Sequence, residues 1–490
     1  MIILYNPVNS PSKKPVLPMS LLALGALLEG KEDYRIIDGN LVADGLTSLR
    51  EALRESGAGI LGLTVMPGPQ LSDAVPICKA LKAEFPKLII VWGGYFPSLH
   101  CDVVMKALYV DYVFRGHCER EFATFLLRFK RGEGISDLAG LAWRTEDGEI
   151  RLNPKPRLTD INEFPDFPYE RVPMDRYMGN SFMGTRTVPH HSSYGCPFMC
   201  NFCAVVHQVS GRYSAQTAQR TTAVVERLVK RYGANAIVFF DNNFFVQEDR
   251  VAEFSERITP FGIGWWGYGR VDTMLNFDDA TWSAMRDSGL KMVYMGAESG
   301  DDEMLHRMNK GGKQTADSVL AVAEKMGRFG IIPEMSFLVG NPPNAAEDAD
   351  RTIRFIRRLK RINPATEIVL YMYSPVPVEG TLLDDAVAMG FHYPESLEAW
   401  TQAPWEEFAQ HRSSKLPWLN ARVRRKVRNF QRVLHAAYPT VTDPKLKGLR
   451  RSVLRSAAAW RYASEFYAFP IELRIVNRLF PHNRPEVTGF

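Results

Sequence analysis

The stretch Ser193–Cys203, SYGCPFMCNFC, puts three of the chain's six cysteines, Cys196, Cys200 and Cys203, into eight residues. Thiolates are soft ligands that suit zinc and iron–sulfur clusters. A closed zinc site takes four ligands, and this loop supplies three. His190 and His191, just ahead of it, are the nearest residues that could complete such a site. A second reading makes the cysteines small core hydrophobes, but three on one Gly-Pro loop are crowded for that. The third reading is a four-iron cluster held by three thiolates, with one iron left open for a ligand. The spacing Cys-x3-Cys-x2-Cys favours this third reading, in which the missing fourth ligand is a functional vacancy.

The rest of the chain supplies the context. Its 490 residues exceed what one core serves, so several domains are expected. With 46% hydrophobic and 23% charged residues, the composition is globular. A net charge of +5 says little about partners. The longest apolar run, MSLLALGALLEG, is broken at Glu29, short of the roughly 18 residues that a spanning helix needs. The first residues, MIILYNPVNS, lack a basic leader and read as a strand. Few cysteines in a long chain without a leader point to a reducing compartment, so a cytoplasmic location is expected.

Strand-like runs at 2–6, 34–38, 59–65, 88–94 and 111–116 alternate with helix-like segments, which predicts a doubly wound, Rossmann-like parallel sheet over residues 1–140. Loops after its strands carry DGN (38–40), MPGP (66–69), GGYFPS (93–98) and GHCERE (116–121), on the side where such sheets bind ligands. Residues 141–185 are rich in proline and charge and read as a linker with a small hairpin around EDGE. Over 186–383, strands at 187–193, 236–242, 264–270, 292–298, 332–340 and 367–376 alternate with helices, giving a partial barrel of six βα units. Residues 384–490 read as a helical domain, in which Leu419, Val423, Val427, Phe430, Leu434 and Tyr438 form one apolar stripe. Residues 411–461 hold fourteen Lys and Arg against a single Asp.

The cysteine spacing, with Phe202 before the third cysteine, resembles the radical S-adenosylmethionine (radical SAM) superfamily. FFDNNF (239–244), GYGRVDTML (267–275), MGAESGDDEMLHRMNKG (295–311), MSFLVGNPPNAAED (335–348) and PVPVEGTLL (375–383) resemble that family's successive strand segments, in order. The resemblance implies a 4Fe-4S cluster on Cys196, Cys200 and Cys203, with SAM on its open iron. It places Phe202, Asn243, Arg270, Glu298 and Ser299 at the SAM site, with Arg270 toward the carboxylate and Asn243 toward the amino group. The first domain resembles the cobalamin-binding branch, which implies that Thr64, Met66, Gly93 and Gly94 line a cobalamin slot. Small residues there leave room between sheet and helices. The motif Asp-x-His-x-x-Gly, which brings histidine to cobalt, is absent. Asp38 is present but Asn40 stands where the histidine would be, so Met66 and the 65–69 loop are expected beneath cobalt.

The function implied is reductive cleavage of SAM to a 5′-deoxyadenosyl radical, used with cobalamin to methylate an unactivated carbon of a small or lipid-like molecule. The anaerobic magnesium-protoporphyrin monomethyl ester cyclase group gives the alternative, a radical oxidation, cyclisation or rearrangement without methyl transfer. A reading of another class is a non-catalytic iron–sulfur or cobalamin carrier. An electron donor such as flavodoxin or ferredoxin is implied as a partner. The basic, aromatic-rich C-terminal region suggests peripheral membrane contact. Nucleic acid is not expected, because no compact recognition motif accompanies the charge.

Overall fold

A computed structural model describes the chain except residues 10, 11, 13, 14, 311, 312, 412–415, 444, 445, 447 and 480–490. Gly311 of the fourth-strand segment, Arg412, Lys415, Lys445 and Lys447 of the basic stretch, and the end of the helical region lie outside the described residues.

In the first sheet, β1 (Ile2–Asn6), β2 (Tyr34–Asp38), β3 (Ile60–Thr64), β4 (Ile89–Gly93) and β5 (Tyr112–Phe114) run parallel in the order β2-β1-β3-β4-β5. Alternate side chains serve opposite faces. Ile2 and Leu4 pack with Leu21, Phe122 and Phe125, from helices Met19–Leu28 and Glu119–Lys130. Ile3 and Tyr5 pack with Leu49 and Leu71, from helices Gly45–Ser56 and Pro69–Glu84. Burial on both faces explains why these strands read as continuous apolar runs. The order reverses between β1 and β3, and a crevice opens outside the strand ends at such a point.

The stretch expected as a linker begins as part of this sheet. β6 (Leu141–Arg144) pairs antiparallel with β5, and β7 (Ile150–Leu152) pairs with β6. The reason is the edge of β5, whose backbone groups would otherwise lack partners. The segment then straps back over the first sheet's elements. Arg171 forks onto both Glu29 oxygens at 2.7 and 2.9 Å, and Tyr177 donates to buried Asp38 at 2.8 Å.

The second sheet begins with β8 (Thr187–His190). The short strands β9 (Ser193–Gly195) and β10 (Tyr213–Ala215) form a separate antiparallel ribbon. β11 (Ala236–Phe239), β12 (Gly264–Gly269), β13 (Leu290–Glu298), β14 (Ile332–Val339) and β15 (Glu367–Met372) follow. All six main strands are parallel, in the order β8-β11-β12-β13-β14-β15. Helices Ala218–Tyr232, Glu248–Ile258, Asp279–Asp287, Ala316–Phe329 and Ala345–Ile362 separate them. Phe239 and Trp265 face these helices, while Val238, Trp266 and Met292 form a separate cluster on the concave side with Phe240, Tyr268 and Tyr294. The helix ends are where the sequence signals place them. Thr315 and Ser318 form a capping box, and Gly233 and Gly330 close their helices in the left-handed conformation.

Beyond the barrel, helix Ala421–Ala437 buries Val423, Val427, Phe430 and Leu434, as the apolar stripe predicts. Trp418 donates to the Gly340 carbonyl at 2.9 Å and ties this region to the end of β14. Among the described residues, no helix is long and apolar enough to cross a membrane.

Candidate functional site

The cysteine loop is gripped at both ends. Gly195, at φ +77°, has no room for a Cβ, which would collide with the Arg212 carbonyl; that same carbonyl accepts the Cys196 N–H at 3.0 Å. Cys203 sits at the start of helix Ala204–Val209. Between them, Asn201 donates its backbone N–H to Met308 and its side-chain amide to the Arg307 carbonyl, at 3.2 and 2.7 Å. Asn309 donates to the Met199 carbonyl at 2.7 Å, and Gly380 leaves space that Asn201 fills.

Cys200 is buried, and Cys196 and Cys203 are half-buried. Burial raises the Cys196 thiol and pushes Cys203 up to about 11, with the neighbouring thiols adding to both shifts. Crowded and desolvated in this way, the Cys196 and Cys203 thiols ionise only against compensating positive charge, which an iron–sulfur cluster supplies. His190 does not join them: it bonds Tyr169 and Gln216, at 2.9 and 3.3 Å. His191 lines a separate cavity described below.

Two ion pairs back the loop. Arg270, 6% exposed, forks onto Asp272 at 3.0 and 2.9 Å, donates to the Lys310 carbonyl at 2.9 Å and reaches Cys200 Sγ at 3.2 Å. Its guanidinium lies 3.8 Å from the centre of the Phe198 ring. Lys310 pairs with Glu298 at 2.8 Å and stands 5.3 Å from the Phe202 ring. Each aromatic residue of the loop is thus capped by a cation, and each cation is held by a carboxylate.

Glu298 adopts φ +61° at a bulge in β13, and a Cβ on Gly296 would strike both Glu298 and Lys310. Ser299 is buried and accepts the Asp301 N–H at 3.2 Å. Asn243 is 1% exposed, and neither its amide nitrogen nor its oxygen has a hydrogen-bond partner among the described residues. An orphaned amide costs about 1–3 kcal/mol, so a ligand with both donor and acceptor groups, such as an amino acid end, fits it. The structure therefore sets Phe202 and Arg270 directly at the cysteine loop, with Glu298 reaching it through Lys310. Asn243 and Ser299 lie at the ends of β11 and β13. Lys310, Phe198 and Asp272 were not singled out from sequence, although all three fall inside or beside the quoted segments.

On the other side lies a cavity of about 680 Å³ at the crevice between β1 and β3. Thr64, Met66, Gly93 and Gly94 all line it. Gly94 has φ +96°, and a Cβ there would press on Thr64 Oγ1 and the Val65 nitrogen, both at 2.9 Å. Leu24, Gly62, Val91 and Phe122 also line it, so the space continues along the sheet between helices Met19–Leu28 and Glu119–Lys130. That is the shape of a slot for a nucleotide tail, and the residues fit cobalamin. Met66 is 46% exposed and faces this space, whereas Asn40 is buried, accepts the Asn9 N–H and donates to Asp38.

The cavity is shared. His191, Ser193, Tyr194, Gln208, Phe240 and Asn242 of the barrel half form part of its wall. Tyr194 and Gln208 flank the cysteine loop on either side. Helix Tyr95–Leu99, starting after Gly94, packs on the helix that starts after Cys203.

Comparison with known proteins agrees with both halves. Residues 191–356 match the radical SAM superfamily, and residues 6–126 match the B12 binding domain. The chain is 28% identical over 371 residues to an uncharacterized methyltransferase of Pyrococcus horikoshii, covering 73% of this chain and 78% of that protein. It is 25% identical over 329 residues to the anaerobic magnesium-protoporphyrin IX monomethyl ester cyclase of a Synechocystis species, covering 64% of each. In fold it resembles TsrM, a radical SAM methyltransferase from Kitasatospora setae solved with cobalamin and a 4Fe-4S cluster. There the TM-score is 0.67, at 16% identity and 98% coverage of both chains. The two family matches give the chain a 4Fe-4S cluster, SAM and cobalamin as cofactors. The chain belongs to the cobalamin-binding radical SAM superfamily.

Proposed function

We propose that the protein methylates an unactivated carbon of a small-molecule or lipid-like substrate. The observation that carries this reading is the shared cavity, whose wall joins the cobalamin slot to the flanks of the cysteine loop. When bound, the cluster and SAM supply the 5′-deoxyadenosyl radical, and cobalamin supplies the methyl group. Cys196, Cys200 and Cys203 would hold the cluster, with Phe202 packed beside Lys310. Asn243, Glu298 and Ser299 would hold SAM, Asn243 by satisfying its idle amide. Thr64, Met66, Gly93 and Gly94 would cradle cobalamin. Phe240, Tyr268 and Tyr294, with ring centres 5.0 to 6.2 Å apart, give the concave face of the barrel an aromatic lining. That lining suits an apolar substrate and excludes water from a reactive radical.

The test is anaerobic reconstitution with iron, sulfide and methylcobalamin, followed by reductant and SAM with a deuterated methyl group. S-adenosylhomocysteine together with 5′-deoxyadenosine is the expected product pair. Deoxyadenosine without S-adenosylhomocysteine, when substrate is consumed, favours the cyclase-like alternative. We place the enzyme in the cytoplasm, reduced by a flavodoxin or ferredoxin.

The C-terminal helices favour contact with an anionic membrane surface. Leu449, Val453 and Trp460 share one exposed stripe of helix Gly448–Ala463, and Phe469, Ile471 and Ile475 are exposed beside it. Arginines 451, 455, 474 and 478 accompany them. Replacing Leu449 and Trp460 by Glu should abolish binding to phosphatidylglycerol vesicles while SAM cleavage persists. Unchanged vesicle binding would remove this assignment.

A further inference from the structure

We infer that Arg270 is a positioning residue of the iron–sulfur cluster: its hydrogen bond to Cys200 Sγ sets the cluster's reduction potential, and Asp272 moderates it. This rests on the proposed cluster being held by the cysteine loop.

The geometry fixes the guanidinium toward the protein. Of its five N–H groups, four are committed: two to Asp272, one to Lys310 and one to Cys200. Phe198 covers one face, and only 6% of the residue is exposed. A ligand carboxylate seeking the same fork would first have to displace Asp272. The position at Cys200 is also the most telling of the three, because that thiol is buried and water cannot replace the donor.

Hydrogen bonds to cluster sulfurs, nearby charge and burial are the levers that set cluster potentials. Reduction adds one electron to the cluster, with no bond made or broken. A cation donating to a ligating sulfur stabilises the more negative, reduced form. Burial keeps the local dielectric low, so the effect is strong. Asp272 lies on the far side of the guanidinium and opposes it. The two groups therefore tune the cluster in opposite directions. This role also differs from that expected of Arg270 as a partner of the SAM carboxylate.

The experiment is a potentiometric titration of the reconstituted full chain, followed by electron paramagnetic resonance of the reduced cluster, without SAM. Arg270→Gln should lower the equilibrium constant for reduction about tenfold, which is about 59 mV more negative for a one-electron couple. Arg270→Lys should fall between it and the wild type. Asp272→Asn should shift the potential the other way. Should Arg270→Gln fail to take up its cluster, the sign of the Asp272→Asn shift decides. Unchanged potentials in loaded variants, with only SAM affinity reduced, overturn the inference and make Arg270 a SAM ligand. A wild-type protein that takes up no four-iron cluster overturns the underlying reading as well.

Discussion

The cavity at the first sheet and the loop at the barrel make room for their cofactors by opposite means. At the sheet, side chains are left out: Gly93 and Gly94 bring backbone to the cavity wall, and Gly94 holds a conformation that side chains resist. At the loop, side chains are stacked in: Phe198 under Arg270, Phe202 under Lys310, and Asp272 and Glu298 holding the two cations. The first design tolerates loss of charge but not added volume. The second tolerates little change of charge, because removing one member of a buried pair leaves the other uncompensated, at about 3–5 kcal/mol.

The contrast can be broken most sharply at the ligands themselves. Replacing Cys196, Cys200 or Cys203 by Ala should abolish the cluster's visible absorption and all SAM cleavage, while cobalamin is still retained on the protein. Loss of cobalamin in these variants would mean that the two sites are not separable. Gly94→Val comes next. Its Cβ meets Thr64 and Val65, so cobalamin retention on gel filtration should be lost while deoxyadenosine formation survives. The backbone strain should cost about 1–3 kcal/mol of stability.

Asn243→Leu tests the idle amide. The variant should bind SAM about tenfold more weakly by isothermal titration, close to 1.4 kcal/mol, a magnitude within the range for one buried hydrogen-bonding group. Its unliganded melting temperature should not fall, because no hydrogen bond to a described residue is lost. A fall in stability with unchanged SAM affinity would make Asn243 an ordinary structural residue. The smallest effect is expected on the strap between the halves. Arg171→Ala removes a half-exposed pair with Glu29 and should cost under about 1 kcal/mol in urea unfolding.

Strands were legible because each side of the comparison obeys a simple period. Buried parallel strands such as IILYN and AIVFF announce themselves as apolar runs between helical spacings. The three cysteines were legible because thiol ligands need close spacing along one loop. Partnerships across the fold were not. Nothing local marks Lys310 as the partner of Glu298, because the pair depends on a bulge in β13 and on Gly296 lacking a side chain. The ties of Arg270 to Asp272 are two residues apart and could have been suspected, but its reach to Cys200 spans seventy positions. The hairpin of β6 and β7 was visible as a hairpin, yet its docking on β5 depends on an unfilled edge that sequence does not display.

Asp38 and Asn40 carry a consequence for inheritance. Asp38 already accepts hydrogen bonds from Asn6, Asn40 and Tyr177, and Asn40 holds Asn9. A single change of Asn40 to histidine would therefore not recreate a histidine–cobalt bond. It would evict an amide from a filled network and find its aspartate engaged by the strap. A lineage crossing between the two kinds of cobalamin site has to alter both the loop after β2 and a residue in the strap, Tyr177. The two stretches, far apart in sequence, are then expected to change together.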